Sequence, residues 1–255
     1  MEVHHHPHVE KKNFKEYFLE FLMIFLAVTL GFFAENFREH RVESSREKQY
    51  IISMIADLRK DSTYLQLCLD KFIPAHETYL DSLIYLLKSN DPGKEGKKIY
   101  FYFINATTWS YNYVPTQRTL SQLRTSGFTL IKNELVADIL SELEIDYAVY
   151  NKKNDFVQGL QNDIDQSAFV FADKSVVASL HKKQFSGKFY QVLDIADVPP
   201  EVHLMQPTLP DLNNYIEKLI KYNYFLKADL QTEYIRISQT ILRTINMLQK
   251  EYHLK

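Results

Sequence analysis

A single cysteine, Cys68, in 255 residues excludes an intramolecular disulfide and any cysteine-rich zinc cluster. Only six glycines are present, and none falls in a phosphate-cradling loop. With just eight prolines as well, the chain is poor in tight-turn residues, which predicts long helices rather than many short strands. Charge of either sign is not in excess: 30 Lys and Arg stand against 32 Asp and Glu, a net charge of −2. No broad basic field therefore argues for nucleic acid as a partner. A nucleophile elbow is also missing, and no Ser–His–Asp pattern stands out. These absences predict a protein that is not an enzyme and that holds no cofactor and no metal.

What is present is a long apolar run near the N-terminus, uncharged from Phe21 to Ala34. A helix over residues 17–37 spans roughly 31 Å, close to one bilayer core. Phe21, Leu22, Phe25, Leu26, Leu30 and Phe32 point in several directions around it, which suits lipid better than one buried face. Phe32-Phe33-Ala34 lacks the small residues of a signal-peptide cleavage site, so an uncleaved anchor is expected, with a buried core helix as the alternative. Glu20 lies near the end of the run, within reach of headgroups or of Lys15. Lys11, Lys12 and Lys15 before the run nearly balance Arg38, Arg41, Arg46 and Lys48 after it. The short N-terminal tail then favours an inside N-terminus and a periplasmic body.

The expected organisation is a polar, His-rich tail over residues 1–13, a transmembrane anchor over 14–37 and a helical soluble domain over 38–255. Apolar residues from Tyr50 to Phe72 recur at helical spacing up to Pro74, which kinks the helix or starts a new one. A second helix is expected near residues 75–89. The run Ile99–Ile104 suits a strand by composition, but with no partner strand it reads as a helix or an aromatic connector. A short helix over 119–126 is closed by Gly127, and Asn133 caps the next, with Leu135, Val136, Ile139, Leu140 and Leu143 on one face. After a Pro-rich connection, Leu219, Leu230, Ile241 and Tyr252 repeat every 11 residues. That period, near 3.67 residues per turn, marks a long straight helix over about 211–252 that needs another long helix, about 38–73, beside it. The fold class predicted is all-α: a transmembrane helix continuing into an elongated antiparallel helical bundle.

Three segments then resemble a known family together. They are Glu20–Asn36, the element Gln122-Leu123-Arg124-Thr125-Ser126-Gly127 followed by Leu130-Ile131-Lys132-Asn133, and the terminal Lys250-Glu251-Tyr252. In this order they resemble a domain-of-unknown-function family of single-pass bacterial membrane proteins common among bacteroidetes. The resemblance covers most of the chain and implies an inner-membrane anchor plus a helical body; it implies no activity, ligand or site.

For binding, the strongest signal is Thr107–Pro115, where Trp109, Tyr111 and Tyr113 offer a stacking surface or partner contact. Arg118 and Arg124 follow within two helical turns and are placed to meet an acidic ligand. The alternative is an aromatic cap packed on the bundle end. The cluster His4-His5-His6-Pro7-His8 resembles a loose metal binder, but the expectation is a solvated tail. Glu142, Glu144 and Asp146 read as a solvated acidic face, and Cys68 as core. The expected function is a non-enzymatic assembly or accessory partner in an inner-membrane complex, touching the bilayer and a membrane protein or a second copy. The alternative is a receptor-like periplasmic bundle sensing a small molecule.

Overall fold

Asn13 opens the first helix: its carbonyl accepts the Glu16 N–H at 2.8 Å, and its own N–H donates to Glu16 Oε2 at 3.2 Å, half of a capping box. With only Gly31 to weaken it, helix α1 then runs Phe14–Leu67. The computed structural model describes residues 13–107, 112–125, 128, 130–186 and 191–254, and among these there is no strand. The chain divides into two units, one ending at Tyr50 and the other spanning Ile51–Lys255.

In the first unit the described residues from Phe14 on are helical. Its apolar window has a mean hydropathy of 2.1, and none of it is buried, unlike the core-helix alternative. Phe21, Phe25, Leu30 and Phe32 stand exposed, as does Leu26, while Leu22 is half-buried between its neighbours. By length and composition this is the one helix among the described residues able to cross a membrane.

In the second unit, Ile51, Met54, Ile55, Leu58 and Leu65 of α1 are buried, as the helical spacing predicts. Pro74 does not end the helix. A π-helical turn over Cys68–Phe72 precedes α2 (Ile73–Leu87), and the Ile73 N–H bonds back to the Cys68 carbonyl. Widening the turn is how a helix accommodates a proline that lacks an N–H and crowds the carbonyl four residues back. Residues 99–104 fall in helix α3 (Gly96–Thr107), which packs on α2. At Gly96 a Cβ would sit 3.1 Å from the Val202 carbonyl, so the connection running through residues 193–202 closes directly onto the α3 start. Asn105 holds the same connection through two bonds to the Leu193 backbone, at 3.1 and 3.0 Å.

Helix α4 (Arg118–Thr125) is short, and the Phe128 N–H reaches its Leu123 carbonyl at 2.9 Å. The expected Gly127 cap lies outside the described residues. Asn133 caps α5 (Glu134–Ser167) by accepting the Leu135 and Val136 N–H groups. Val136, Ile139, Leu140 and Leu143 are buried, whereas Leu135 is exposed. Asp173 caps α6 (Lys174–Gln184) in the same manner. The C-terminal region starts at Thr208, whose hydroxyl accepts the Asp211 N–H, and comprises α7 (Leu209–Phe225), a π turn over Leu226–Gln231, and α8 (Thr232–Glu251). Leu219, Leu230, Ile237, Ile241 and Leu248 are buried along it, so the 11-residue stripe faces the core as far as Leu248, while Tyr252, just past the end of α8, is half-buried. Helix α5 packs against both α7 and α8.

Candidate functional site

Asp61 lies on the apolar stripe Ile51–Met54–Leu58–Leu65 of α1, where an aliphatic side chain would fit the period. It is buried, and four donors converge on it. Tyr113 Oη reaches Oδ2 at 2.9 Å, the Thr116 N–H reaches Oδ2 at 2.8 Å, Thr116 Oγ1 reaches Oδ1 at 2.6 Å, and Tyr147 Oη lies 3.4 Å from Oδ2. One turn earlier, Asp57 accepts Thr119 Oγ1 at 2.6 Å and pairs with Arg118 at 3.5 Å. Two α1 carboxylates spaced i, i+4 thus fasten the whole segment 113–119. Buried carboxylates are tolerated because their lone pairs are filled.

Tyr113 is the centre of a tyrosine cluster. Its ring lies 5.4 Å from Tyr150, 6.2 Å from Tyr234 and 6.4 Å from Tyr147. Its backbone carbonyl accepts Tyr150 Oη at 2.6 Å, and its N–H donates to Tyr234 Oη at 3.2 Å. Burial pushes the Tyr113, Tyr147 and Tyr150 phenols above the ordinary tyrosine range and Tyr234 to about 12. Burial likewise lifts the Cys68 thiol to about 12, against a hydrogen bond with Tyr64, which leaves it an inert core group.

The sequence-predicted patch is therefore split. Trp109 and Tyr111 lie outside the described residues. Tyr113 faces the core, only 2% exposed, instead of presenting a surface. Arg118 is mostly exposed but directed to Asp57, and Arg124 pairs with Glu144 at 2.8 Å. Each arginine already has a carboxylate of this chain. Of the acidic residues Glu142, Glu144 and Asp146, the first is exposed and the second partly so, as a solvated face requires, while Asp146 is buried. Glu142 pairs with Arg243, and Asp146 is buried against Arg236 and Thr240. Arg236 and Lys153 also hold the buried Glu233. Burial works against the Glu233 carboxylate, yet these hydrogen bonds keep its pKa below the ordinary value. The acidic residues of α5 are the links between α4, α5 and α8. Among the described residues no group of three His, Cys, Asp or Glu is placed to hold a metal ion; the histidines at 4–8 lie outside them.

An open groove of about 1140 Å³ runs beside this cluster, and sequence reading gave no sign of it. One wall is formed by Lys60, Tyr64 and Leu67 of α1 and Lys71 of the π-helical turn; the others include Asn112, Val114 and Leu242. Its lining is mainly apolar, with Val114 and Leu242 exposed. Asn112 Oδ1 is buried and has no hydrogen-bond partner. The groove is assembled from three distant segments, so no local pattern announces it. No family model, curated protein or solved structure matches this chain.

Proposed function

We propose that this chain is a single-pass inner-membrane protein whose helical body acts by contact, as a non-enzymatic assembly or accessory partner in a membrane complex. The observation that carries the reading is the unburied apolar window of α1, because apolar side chains exposed around a full helix need lipid or protein around them. The resemblance of residues 20–36 to a family of single-pass membrane proteins supports the same anchor. Within the body, the charged groups nearest the predicted patch are bound to one another, which favours a scaffold over a reaction centre. The buried part of the 11-residue stripe supports an elongated antiparallel bundle, and a periplasmic body is the orientation proposed for it.

Alkaline phosphatase fused after Lys255 tests the topology in intact cells: an active reporter supports the periplasmic body, and a stable but inactive one overturns it. Crosslinking of the full chain in membranes tests the function. Reproducible capture of one membrane complex, reduced on replacing Trp109, supports the assembly reading, and its absence removes it. The groove beside Tyr64 favours a second reading, a receptor-like module for a small molecule. That module predicts a ligand-dependent rise in Tm across a metabolite library, which the assembly reading does not.

A further inference from the structure

We propose that the body bends at one level, where two π-helical turns on neighbouring helices coincide. The first, Cys68–Phe72, joins α1 to α2, and the second, Leu226–Gln231, joins α7 to α8. Helices α2 and α7 pack together and run antiparallel, since Asn223 bonds Asp81 at 2.8 Å while Lys227 stands by Glu77. His76 meets Tyr222 at 3.1 Å. Asp70 lies six residues before His76 and Ala228 six after Tyr222, so the middles of the two turns fall at the same height. Pro74 accounts for the first turn. No proline follows Pro210, so the second has no such cause. A π turn carries one residue more than the α-helical turns around it, and helices kink at such turns. One alone accommodates a proline; two at one level make a hinge.

The third helix at this level is softened as well. Lys153 of α5 reaches Asp229 in the second turn at 3.5 Å, which sets the next residue, Asn154, at the hinge. Asn154 Oδ1 is closed off there without a donor, so this layer is not fully satisfied in the conformation described. Less than two turns on, Gly159 sits exposed in mid-helix, and a Cβ there would meet nothing. Packing does not call for a glycine at that position, and its backbone freedom weakens α5 where a bend must pass. Lys227 stands 3.9 and 3.8 Å from Glu77 and Asp81, outside hydrogen-bond distance, so these ties can lengthen or shorten at little cost. Asp70 and Lys71 of the first turn line the groove beside Tyr64, whose other lining residues belong to α1, to the segment 112–116 and to α8. Bending at the hinge therefore changes the width of the groove.

The test measures spin-label distances by double electron–electron resonance on the full chain in nanodiscs, with the buried Cys68 retained. Tyr85→Cys/Ile145→Cys puts exposed labels on opposite sides of the hinge, and Ile145→Cys/Leu242→Cys puts both on the α8 side. A bend of about 20° at Asp70 moves Tyr85, roughly 22 Å further along the helix, by roughly 8 Å. The first pair should therefore give a distance distribution several ångström broader than the second. Gly159→Ala, which fills open space, should narrow it. Deleting Asp70 and Ala228, one residue from each π turn, together with Pro74→Ala, should narrow it to the width of the second pair. Equal widths in the two pairs overturn the hinge, and so does a broad distribution that neither variant narrows. If the deletion variant does not fold, Gly159→Ala decides alone: a narrowed distribution upholds the hinge and an unchanged one overturns it.

Discussion

Asp61 and His76 are polar side chains placed where the fold would accept hydrocarbon, and each has a measurable consequence. Asp61→Asn keeps the shape but turns an amide N–H toward donors that already face that position. Loss of a charged acceptor serving three side chains and a backbone N–H should cost about 3 kcal/mol, a fall in Tm of roughly 6–12 °C for a body of this size. Asp70→Asn, at an exposed position, should change Tm by less than about 2 °C. Differential scanning of the two variants checks the contrast. His76 is buried with Nε2 3.1 Å from Tyr222 Oη, and burial depresses its pKa from 6.5 to about 3. Above pH 6.5 the ring is neutral in both folded and unfolded chains. Below it the unfolded chain takes a proton that the folded one refuses, so stability falls as pH drops from about 6.5 toward 3. Between pH 7.5 and 5.5 this one group should remove about 1.4 kcal/mol, or roughly 3–5 °C in Tm. His76→Gln should lack that part of the slope, and an identical slope in the variant would sink the assignment.

At the scale of elements, Asn133 joins two helices whose ends meet. Its Oδ1 caps α5 through the Leu135 and Val136 N–H groups, and its Nδ2 donates to Glu251 at 2.8 Å near the end of α8. Asn133→Ala should lose both, about 2 kcal/mol in all. Asn133→Asp should keep the cap but set two carboxylates together, and adding Glu251→Gln should restore most of the loss. A thermal double-mutant cycle checks this: additive losses would mean that the two sites are uncoupled. The cap, the helices and the 11-residue stripe were legible because each is written in residues near one another in sequence. The carboxylate links were not, since Asp57 and Thr119 lie 62 positions apart and Asp146 and Arg236 lie 90 apart. A trace was nevertheless there. Asp61 interrupts the stripe between Leu58 and Leu65, and Asp146 sits between Leu143 and Tyr147 on the core face of α5. An acid at a core position of a helical period announces a buried acceptor, though not its donors. The solvated-face reading holds for the exposed Glu142 and fails at Asp146, which is buried against Arg236 and Thr240. Tyr113 follows the packed-aromatic alternative, although nothing nearby in sequence shows that Asp61, Tyr150 and Tyr234 enclose it.

For the molecule as a whole, the decisive property is the contrast between an apolar helix with no buried window and a body built around a buried apolar core. If the first unit spans a bilayer, its middle must be intolerant of charge while exposed apolar sites on the body are not. Leu26 and Leu30 lie one turn apart near the centre of residues 17–37 and are both exposed. Lysine at the centre of a spanning helix costs about 3 kcal/mol, so Leu26→Lys/Leu30→Lys should lose roughly 6 kcal/mol of insertion free energy, about four powers of ten in partition. Ile235→Lys/Leu242→Lys places the same two charges at exposed sites of α8 and should leave membrane association unchanged. Sodium carbonate extraction of membranes from cells making each variant separates the cases. Wild type and the α8 variant should stay in the pellet, while the α1 variant should move to the supernatant or fail to accumulate. Pellet retention of the α1 variant would remove the anchor, and with it the inner-membrane setting on which the proposed contact role depends.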